Sequence, residues 1–314
     1  MNRPSLALCI PAYNAADYLP RLLSSAAAQS VPFDEILVYD DCSTDDTAAV
    51  AEAHGATVVR GDVNVGCSAG KNHLAGVTSC DWIHFHDADD ELYPNFVETA
   101  RSWMEREGVP DVVLFAYEYR DNETNELLHL QVFDDEALRR DPVDYAIRQQ
   151  INPFCGLYRR ESFLRAGGYD LDPAVLYNED VAMHLHLALS GLRFAADPTV
   201  TVINYRIGGS MSRANQAKCF RAHYHVLRKA AARVGPEHHE VLAEALWKAA
   251  GLTGSVLDWE SADAAASLAR SLGHPAPGEG KAWFRALAKL HGPTALRVRE
   301  HAIRRLRPHM RSAS

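Results

Sequence analysis

The chain contains 314 residues, of which 47% are hydrophobic and 23% are charged, and its formal net charge is −9. This composition is typical of a folded protein rather than a disordered one, and a net negative chain is a poor general binder of nucleic acid because it repels the phosphate backbone. No segment approaches the roughly 20 apolar residues that span a bilayer, and the apolar run at 6–10 is too short for a signal peptide, so we expect a cytoplasmic protein.

Short apolar runs alternate with helical patterns over the first 90 residues. The runs predict four buried strands, at 6–10, 35–39, 56–59 and 82–86. The segments between them predict helices near 19–26, 43–54 and 69–77, the second of which is opened by a capping box at 43–46. Strands separated by helices of this length imply right-handed crossovers and a mainly parallel sheet flanked by helices, which is an α/β architecture.

The pattern changes after residue 90. It predicts a helix at 93–107, a strand pair at 112–119 and 127–133, a strand at 154–158, a helix at 178–190 and a strand at 199–205. From Asn215 onward the signal is helical, with breaks near Gly235 and across 273–280. We therefore expect an α/β domain at 1–214 and a C-terminal helical region at 215–314.

Polar clusters follow three of the predicted strands directly. Ligands of open α/β sheets bind at the carboxyl ends of the strands, so these clusters should be near neighbours in space. They are Pro11-Ala12-Tyr13-Asn14, Asp40-Asp41 and Asp87-Ala88-Asp89-Asp90.

The third cluster has the chemistry of a metal site. Asp87 and Asp89 are carboxylates separated by one residue, and hard oxygen ligands of this kind suit Mn²⁺ or Mg²⁺ held together with substrate phosphates. An acidic turn after a strand is usually only solvated, and it is the two neighbouring clusters that favour a functional site. His84 and His86 on the preceding strand are predicted to share one face and to be packed rather than to bind metal. No Cys-x-x-Cys pair occurs among the six cysteines, so a zinc site is poorly supported.

Two helix starts carry further candidates. Lys71 follows small residues near a predicted helix start, where a cation can neutralise a diphosphate, although the spacing does not match a Walker A loop. Glu179 and Asp180 lie in the first turn of another predicted helix, where the helix dipole alone would explain two carboxylates. The functional interpretation of this pair is a general base that takes a proton from an acceptor hydroxyl.

These motifs together resemble those of glycosyltransferase family 2, which has the GT-A fold. The likeness covers about residues 5–212 and depends on several motifs in the same order. The motifs are Pro11-Ala12-Tyr13-Asn14, the turn from Asp40 to Thr47, the segment from Asn64 to Asn72, the Asp-x-Asp motif Asp87-Ala88-Asp89, the stretches 154–160 and 167–170, and Glu179-Asp180.

The resemblance implies a role for each candidate residue. It implies an inverting transferase that moves one sugar from a nucleotide-sugar, with a UDP-sugar expected, to a hydroxyl on a saccharide, a lipid-linked saccharide or a small molecule, with Mn²⁺ or Mg²⁺ as cofactor. Asp180 is the implied base, and Glu179 orients the acceptor or the sugar. Asp89 and Asp87 are the implied metal site. Asp89 is implied to ligate the metal, and Asp87 to reach the ribose or a metal-bound water. The nucleotide contacts are Pro11, Tyr13, Asn14, Asp40, Asp41, Lys71, Asp87 and Ala88.

The chain departs from the family pattern in three places. Cys42 stands where glycine is usual, Lys71 replaces arginine, and the stretch after Tyr205 lacks a histidine that family members often carry. Gly208-Gly209 in that stretch would suit a mobile lid over the donor. The processive signature Gln-x-x-Arg-Trp is absent from the sequence, so single-sugar transfer is expected. A nucleotidyltransferase and a non-catalytic nucleotide-binding relative remain the alternatives.

The end of the chain is locally basic. Six arginines between 297 and 311 oppose the single acid Glu300. Two interpretations remain open: a solvated helix face, and peripheral contact with an anionic membrane surface aided by neighbouring apolar residues.

Overall fold

The computed structural model describes residues 3–206 and 215–307. The chain divides into two compact units, each of which is discontinuous in sequence. The first unit consists of Met1–Pro142, Ile151–Leu171 and His186–Ser210, and the second of Val143–Gln150, Asp172–Leu185 and Met211–Ser314.

The first unit contains a mixed β-sheet. Its strands are β1 (Leu6–Ala12), β2 (Glu35–Asp40), β3 (Thr57–Arg60), β4 (Trp82–Phe85), β5 (Glu91–Leu92), β6 (Val112–Asp121), β7 (Leu127–Gln131), β8 (Gly156–Arg159) and β9 (Phe194–Arg206). They are ordered β3-β2-β1-β4-β8-β6-β9-β5, and β7 pairs with β6 outside this order. β1 to β4 form a parallel half, as predicted, while β8, β7 and β5 pair antiparallel with their neighbours.

The helices follow the predicted alternation. Their bounds are α1 (Leu19–Ala27), α2 (Thr47–Ala53), α3 (Cys67–Val77), α4 (Phe96–Met104), α5 (Asp135–Arg140), α6 (Pro142–Arg148), α7 (Arg160–Ala166), α8 (Glu179–Leu189), α9 (Gln216–Ala231), α10 (His239–Ser255), α11 (Trp259–Ser271), α12 (Ala282–Leu290) and α13 (Gly292–Leu306). Within residues 3–206 and 215–307, no helix is both long enough and apolar enough to cross a bilayer.

The core of the first unit lies on the faces of the parallel strands. Every residue of β1 and β4 is buried, which explains why both strands read as continuous apolar runs instead of alternating patterns. On one face of β4, Phe85 packs against the rings of Tyr158, Phe163 and Tyr169 at centroid distances of 5.2 to 5.7 Å. The strand ends are thereby fixed by packing on both faces.

The second unit is helical from Gln216 onward, as the sequence predicts. α10 is its central helix and has ten buried residues, including Leu242, Leu246 and Trp247. The expected breaks fall between α9 and α10 and between α11 and α12. The proposed domain boundary at 214 and the suggested lid at Gly208-Gly209 lie outside the described residues, and the boundary stays a prediction.

Two local expectations are wrong. The capping box at 43–46 does not form, because α2 begins at Thr47 and its N-cap, Asp46, makes no side-chain capping bond. Asp45 instead accepts from the amide of Thr47 (3.0 Å) and from the amide of Ala16 (3.2 Å), so this turn joins α2 to the loop after β1. The helix expected at 93–107 is shorter, and residues 91–92 before it form β5.

Candidate nucleotide and metal site

The candidate site lies where the strand order of the sheet reverses. β2 and β3 lie on one side of β1, and β4 lies on the other, so the ends of β1 and β4 flank the crevice in which α/β sheets bind ligands. Pro11 marks this point. The backbone of Pro11 faces the β4 side of β1, as does the backbone of Cys9. The carbonyl of Cys9 accepts the last hydrogen bond on this side, which the amide of His86 donates just after β4 (3.1 Å). Proline is tolerated in this central strand because its missing N–H faces the side on which β4 has ended.

The loop after β1 is tied to the loop after β2. Asn14 has φ 49°, a left-handed conformation that asparagine tolerates. Its side-chain oxygen accepts from the amide of Thr44 (2.8 Å), and its own amide donates to the hydroxyl of Ser43 (2.9 Å). Tyr13 beside it is 52% exposed, which leaves an aromatic face at the crevice for a stacking partner.

Asp40 and Asp41 are both buried at the end of β2, and both shape the backbone around them. Asp40 accepts from the amide of Ser43 (3.1 Å). The two oxygens of Asp41 accept separately from the amides of Val65 (2.7 Å) and Gly66 (2.8 Å). Gly66 has φ 87° and ψ 160°, a conformation open essentially to glycine, so Asp41 fixes the turn from which α3 starts.

Lys71 lies in α3 and is held against the aspartate cluster. Its side chain is only 2% exposed, and its Nζ lies 2.9 Å from Oδ1 of Asp87. Asn72, next in the helix, donates to the carbonyl of Tyr169 (3.0 Å) and accepts from its amide (2.8 Å). α3 therefore joins the end of β4 to the stretch at 167–170, two segments that the sequence had singled out separately.

The Asp-x-Asp segment presents two carboxylates of different surroundings. The Asp87 side chain is 34% exposed while it binds Lys71, and Ala88 and Asp89 are half-buried. Arg21 of α1 donates to the backbone carbonyl of Asp89 and stacks over the ring of Tyr205 at 4.0 Å. Arg21 thus holds the backbone of the motif in place.

Asp90 is structural. It is fully buried and accepts from the side chain of Asn204 (2.7 Å) and from the amide of Tyr205 (2.9 Å), which ties the motif to β9. Burial, then the charges of Asp89 and Asp87, raises its pKa well above the ordinary value. Burial and the neighbouring Asp87 also raise the pKa of Asp89. Negative charge is therefore crowded at this end of β4.

His84 and His86 share one face of β4, opposite Phe85, as predicted. Nδ1 of His84 lies 2.8 Å from the carbonyl of Gly156, and its Nε2 lies 2.9 Å from Nδ1 of His86. Burial lowers the pKa of His84 to about 4 and that of His86 well below the ordinary value, so both are neutral at pH 7. They form a buried hydrogen-bonded pair beneath the site.

Glu179 and Asp180 occupy the first turn of α8, as the sequence predicts, and belong to the second unit. The backbone carbonyl of Asp180 lies 2.9 Å from Nδ1 of His184, one turn along the helix. Asn178, just before them, meets His223 of α9 at 3.1 Å through its side-chain oxygen. The roles of Glu179 and Asp180 stay predictions.

Asp87 and Asp89 fit a metal of the Mg²⁺ or Mn²⁺ type. The described residues contain no group of three or more histidine, cysteine or acidic side chains placed to hold a metal ion. One or two carboxylates completed by substrate phosphates are the usual protein share of such a site, whereas a structural zinc site needs four protein ligands. The donor set therefore fits a hard cation bound together with a diphosphate.

The family model for glycosyl transferase family 2 matches residues 7–166, half of the chain. The chain belongs to glycosyl transferase family 2. The resemblance drawn from the sequence motifs is thereby confirmed.

Several curated relatives cover parts of the chain. Succinoglycan biosynthesis protein ExoO of Rhizobium meliloti is 27% identical over 224 residues, which are 67% of this chain and 63% of ExoO. ExoU of the same organism is 39% identical over 92 residues, 28% of this chain and 27% of ExoU. An uncharacterized glycosyltransferase of Rickettsia typhi is 26% identical over 146 residues, 46% of this chain and 45% of the relative. The chain spans less than two thirds of the length of these relatives.

Solved structures share the fold over nearly the whole chain. A 1–349 fragment of S. aureus TarS in complex with UDP-GlcNAc has a TM-score of 0.69 and 18% identity, and the match covers 96% of this chain and 92% of that one. The mannosyltransferase PcManGT of Pyrobaculum calidifontis, in complex with GDP-Man and Mn²⁺, has a TM-score of 0.58 and 18% identity, with 98% and 88% covered. The GT-A-like fold with its C-terminal helices is confirmed.

Sequence reasoning missed three residues that build the site. Arg21, Asn72 and Asp90 position the backbone of the motif loops, through contacts to residues 68, 97 and 114 positions away in sequence. Asn72 and Asp90 lie within two of the sequence motifs, but the motifs alone predict no role for either residue. Arg21 lies on the polar side of an amphipathic helix, where nothing in the sequence distinguishes it from a solvated arginine.

Proposed function

We propose that the chain is an inverting, metal-dependent glycosyltransferase that moves one sugar from a nucleotide-sugar, with a UDP-sugar expected, to an acceptor hydroxyl. The α/β portion 1–214 is the proposed transferase domain. The observation that carries the proposal is the set of oxygen donors at the reversal of the strand order, where the loop after β1 is tied to the loop after β2 and where Lys71 of α3 pairs with Asp87 at the end of β4. Relatives named for glycan synthesis and structural neighbours bound to UDP-GlcNAc or GDP-Man support the same class of donor.

The donor side of the reaction assigns a task to each cluster. Tyr13 offers an exposed ring on which a base can stack, beside the rigid turn that Asn14, Asp40 and Asp41 build. Asp87 and Asp89 would hold Mn²⁺ or Mg²⁺, which supplies positive charge to a diphosphate leaving group. Lys71 adds a fixed cation at the same place and keeps one oxygen of Asp87 oriented.

The acceptor side rests on Asp180. We assign it as the base that removes the proton from the attacking hydroxyl, with Glu179 orienting the acceptor or the sugar. Attack from the face opposite the leaving nucleotide inverts the anomeric centre, so an α-linked donor yields a β-linked product. The acceptor is a saccharide, a lipid-linked saccharide or a small molecule, and we place the enzyme in the cytoplasm with peripheral contact to a membrane.

Calorimetric titration tests the donor site. UDP and GDP are titrated into the protein with Mn²⁺, with Mg²⁺ and with EDTA. Metal-dependent binding of UDP supports the proposal, whereas tighter binding of GDP overturns the expected donor. Asp89→Asn should abolish the metal dependence, and Glu126→Gln, at an exposed carboxylate in the β6–β7 turn, is the matched control.

One variant tests the assignment of Asp180 as the base. Asp180→Asn should lose transfer while binding UDP as tightly as the wild type, because the carboxylate acts only on the acceptor. Wild-type turnover by Asp180→Asn contradicts the assignment. Release of pyrophosphate from a nucleoside triphosphate and a sugar phosphate would identify a nucleotidyltransferase instead.

A further inference from the structure

The second unit contains a large cavity far in sequence from the motif loops of the sheet. It has a volume of about 910 Å³ and lies among α10, the loop 277–281, α12 and α13. Its floor is apolar, formed by Trp247, Leu252, Phe284, Leu296 and Ile303. A volume of this size is that of a ligand site, and an apolar floor selects a ligand with a hydrocarbon portion.

The lining of this cavity is mainly basic, because it contains Arg148, Lys248, Lys281, Arg299 and Arg307 against Glu244 and Glu279. Lys281, Arg299 and Arg307 line it and make no ion pair within the described residues. Residues 281–307 contain eight lysines and arginines against one glutamate, in a chain whose net charge is −9. The segment 281–307 therefore has a net positive charge in a chain that is negative as a whole.

Large apolar side chains of the lining are also exposed. Trp283 is 45% exposed and Leu306 is 76% exposed, and both line the cavity. Leu290, at the end of α12, is 79% exposed as well, but it does not line the cavity. Tryptophan and leucine interleaved with basic residues are the composition of helices that lie in the interface of an anionic bilayer.

We propose that this cavity binds an anionic phospholipid of the membrane, with an acyl chain on the apolar floor and the phosphate at Lys281, Arg299 and Arg307. The inference rests on the membrane contact proposed above and is independent of sugar transfer. Charge complementarity decides the occupant, because a symmetric contact with a second copy would place two strongly basic surfaces against each other. A nucleic acid would match the charge but would leave the apolar floor unused.

Vesicle cosedimentation tests the proposal. The full chain is mixed with vesicles of phosphatidylcholine alone and with vesicles containing phosphatidylglycerol. We expect binding to the anionic vesicles only, weakening as salt rises, because each surface cation contributes about fivefold to such binding. Equal binding to both vesicles, or no binding to either, overturns the proposal.

Two variants separate the cavity from the surface charge. The double variant K281E/R307E should lose at least tenfold in affinity, and Arg228→Glu, a charge reversal of an exposed residue on α9, should lose far less. Gly251→Leu fills the cavity from α10, where the nearest atom to a new Cβ is Nη1 of Arg299 at 3.2 Å. This change raises helix propensity, so the fold should survive.

Gly251→Leu decides whether an acyl chain enters the cavity. We expect it to weaken vesicle binding severalfold while UDP binding stays at the wild-type level. If Gly251→Leu binds vesicles as the wild type does, the proposal that an acyl chain enters the cavity is overturned, and only attraction between the basic surface and the vesicle remains. A stable dimer by light scattering that does not bind vesicles assigns the surface to a second copy and also overturns the proposal.

Discussion

The ion pair between Lys71 and Asp87 offers a direct test of how burial sets the strength of a charge interaction. Its atoms are 2.9 Å apart and the lysine side chain is 2% exposed. Lys71→Met keeps the volume of the side chain and removes the charge, leaving Asp87 beside the crowded Asp89. Loss of one partner of a buried pair costs about 3–5 kcal/mol, and since Asp87 is 34% exposed we expect a value near the lower end, about 3 kcal/mol.

The pair between Arg60 and Glu52 is the matched control. It is shorter, at 2.7 Å, but its side chains are 58% and 53% exposed. Arg60→Met should therefore cost less than about 1 kcal/mol. Urea unfolding in EDTA, followed by circular dichroism, measures the free energy of unfolding of both variants. A cost for Lys71→Met no larger than that for Arg60→Met would refute the reasoning, since distance and not burial would then set the energy.

Three further changes address the surroundings of the site. His84 is neutral in the folded protein, because burial lowers its pKa from 6.5 to about 4. The unfolded chain therefore takes up this proton first as the pH falls, and the free energy of unfolding drops by about 3 kcal/mol between pH 6.5 and pH 4. Unfolding of His84→Gln, measured across this range, should lack that portion of the pH dependence; an identical slope contradicts it. Cys42 has φ 63°, so in urea unfolding Cys42→Gly should be more stable than Cys42→Ala by about 1 kcal/mol, and the reverse order would exclude strain there. Gly168 has φ +68°, and Gly168→Ala would place a Cβ 2.3 Å from the hydrogen-bonded Oδ1 of Asn72. This change should lower the free energy of unfolding by about 2 kcal/mol. Gly76→Ala, where a new Cβ has no atom within 4 Å, is the control and should show no such loss.

The motif residues at strand ends could be read from the sequence because their local surroundings determine their place. A buried parallel strand reads as an apolar run, so the residues just after it are the carboxyl end of the strand. The sequence alone therefore identifies Asp40-Asp41 and Asp87-Ala88-Asp89 as residues at the carboxyl ends of strands. The departure at Cys42 was also visible as a residue in place of glycine, and its positive φ supplies the physical reason.

Other features of the site depend on contacts that no local pattern encodes. The sequence placed Lys71 near a phosphate, but only the packing of α3 shows that it is buried against Asp87. The resemblance implies that Asp41 contacts the nucleotide, and the structure adds that its two oxygens hold the turn at Gly66. Such contacts join residues 16 to 25 positions apart and are set by how the helix packs on the sheet.

The sequence by itself determined the alternation of strands and helices over the first 90 residues, the resemblance to the family, and the oxygen-rich chemistry at the strand ends, because these follow from periodicity, motif order and residue type. Tertiary structure decided that Asp90, one residue beyond Asp89, is structural, because it is buried against β9 and ties the motif to the sheet. It also placed Lys281, Arg299 and Arg307 along the lining of a largely apolar cavity. Burial and long-range contacts, which depend on the whole fold, give neighbouring residues of the same type different roles.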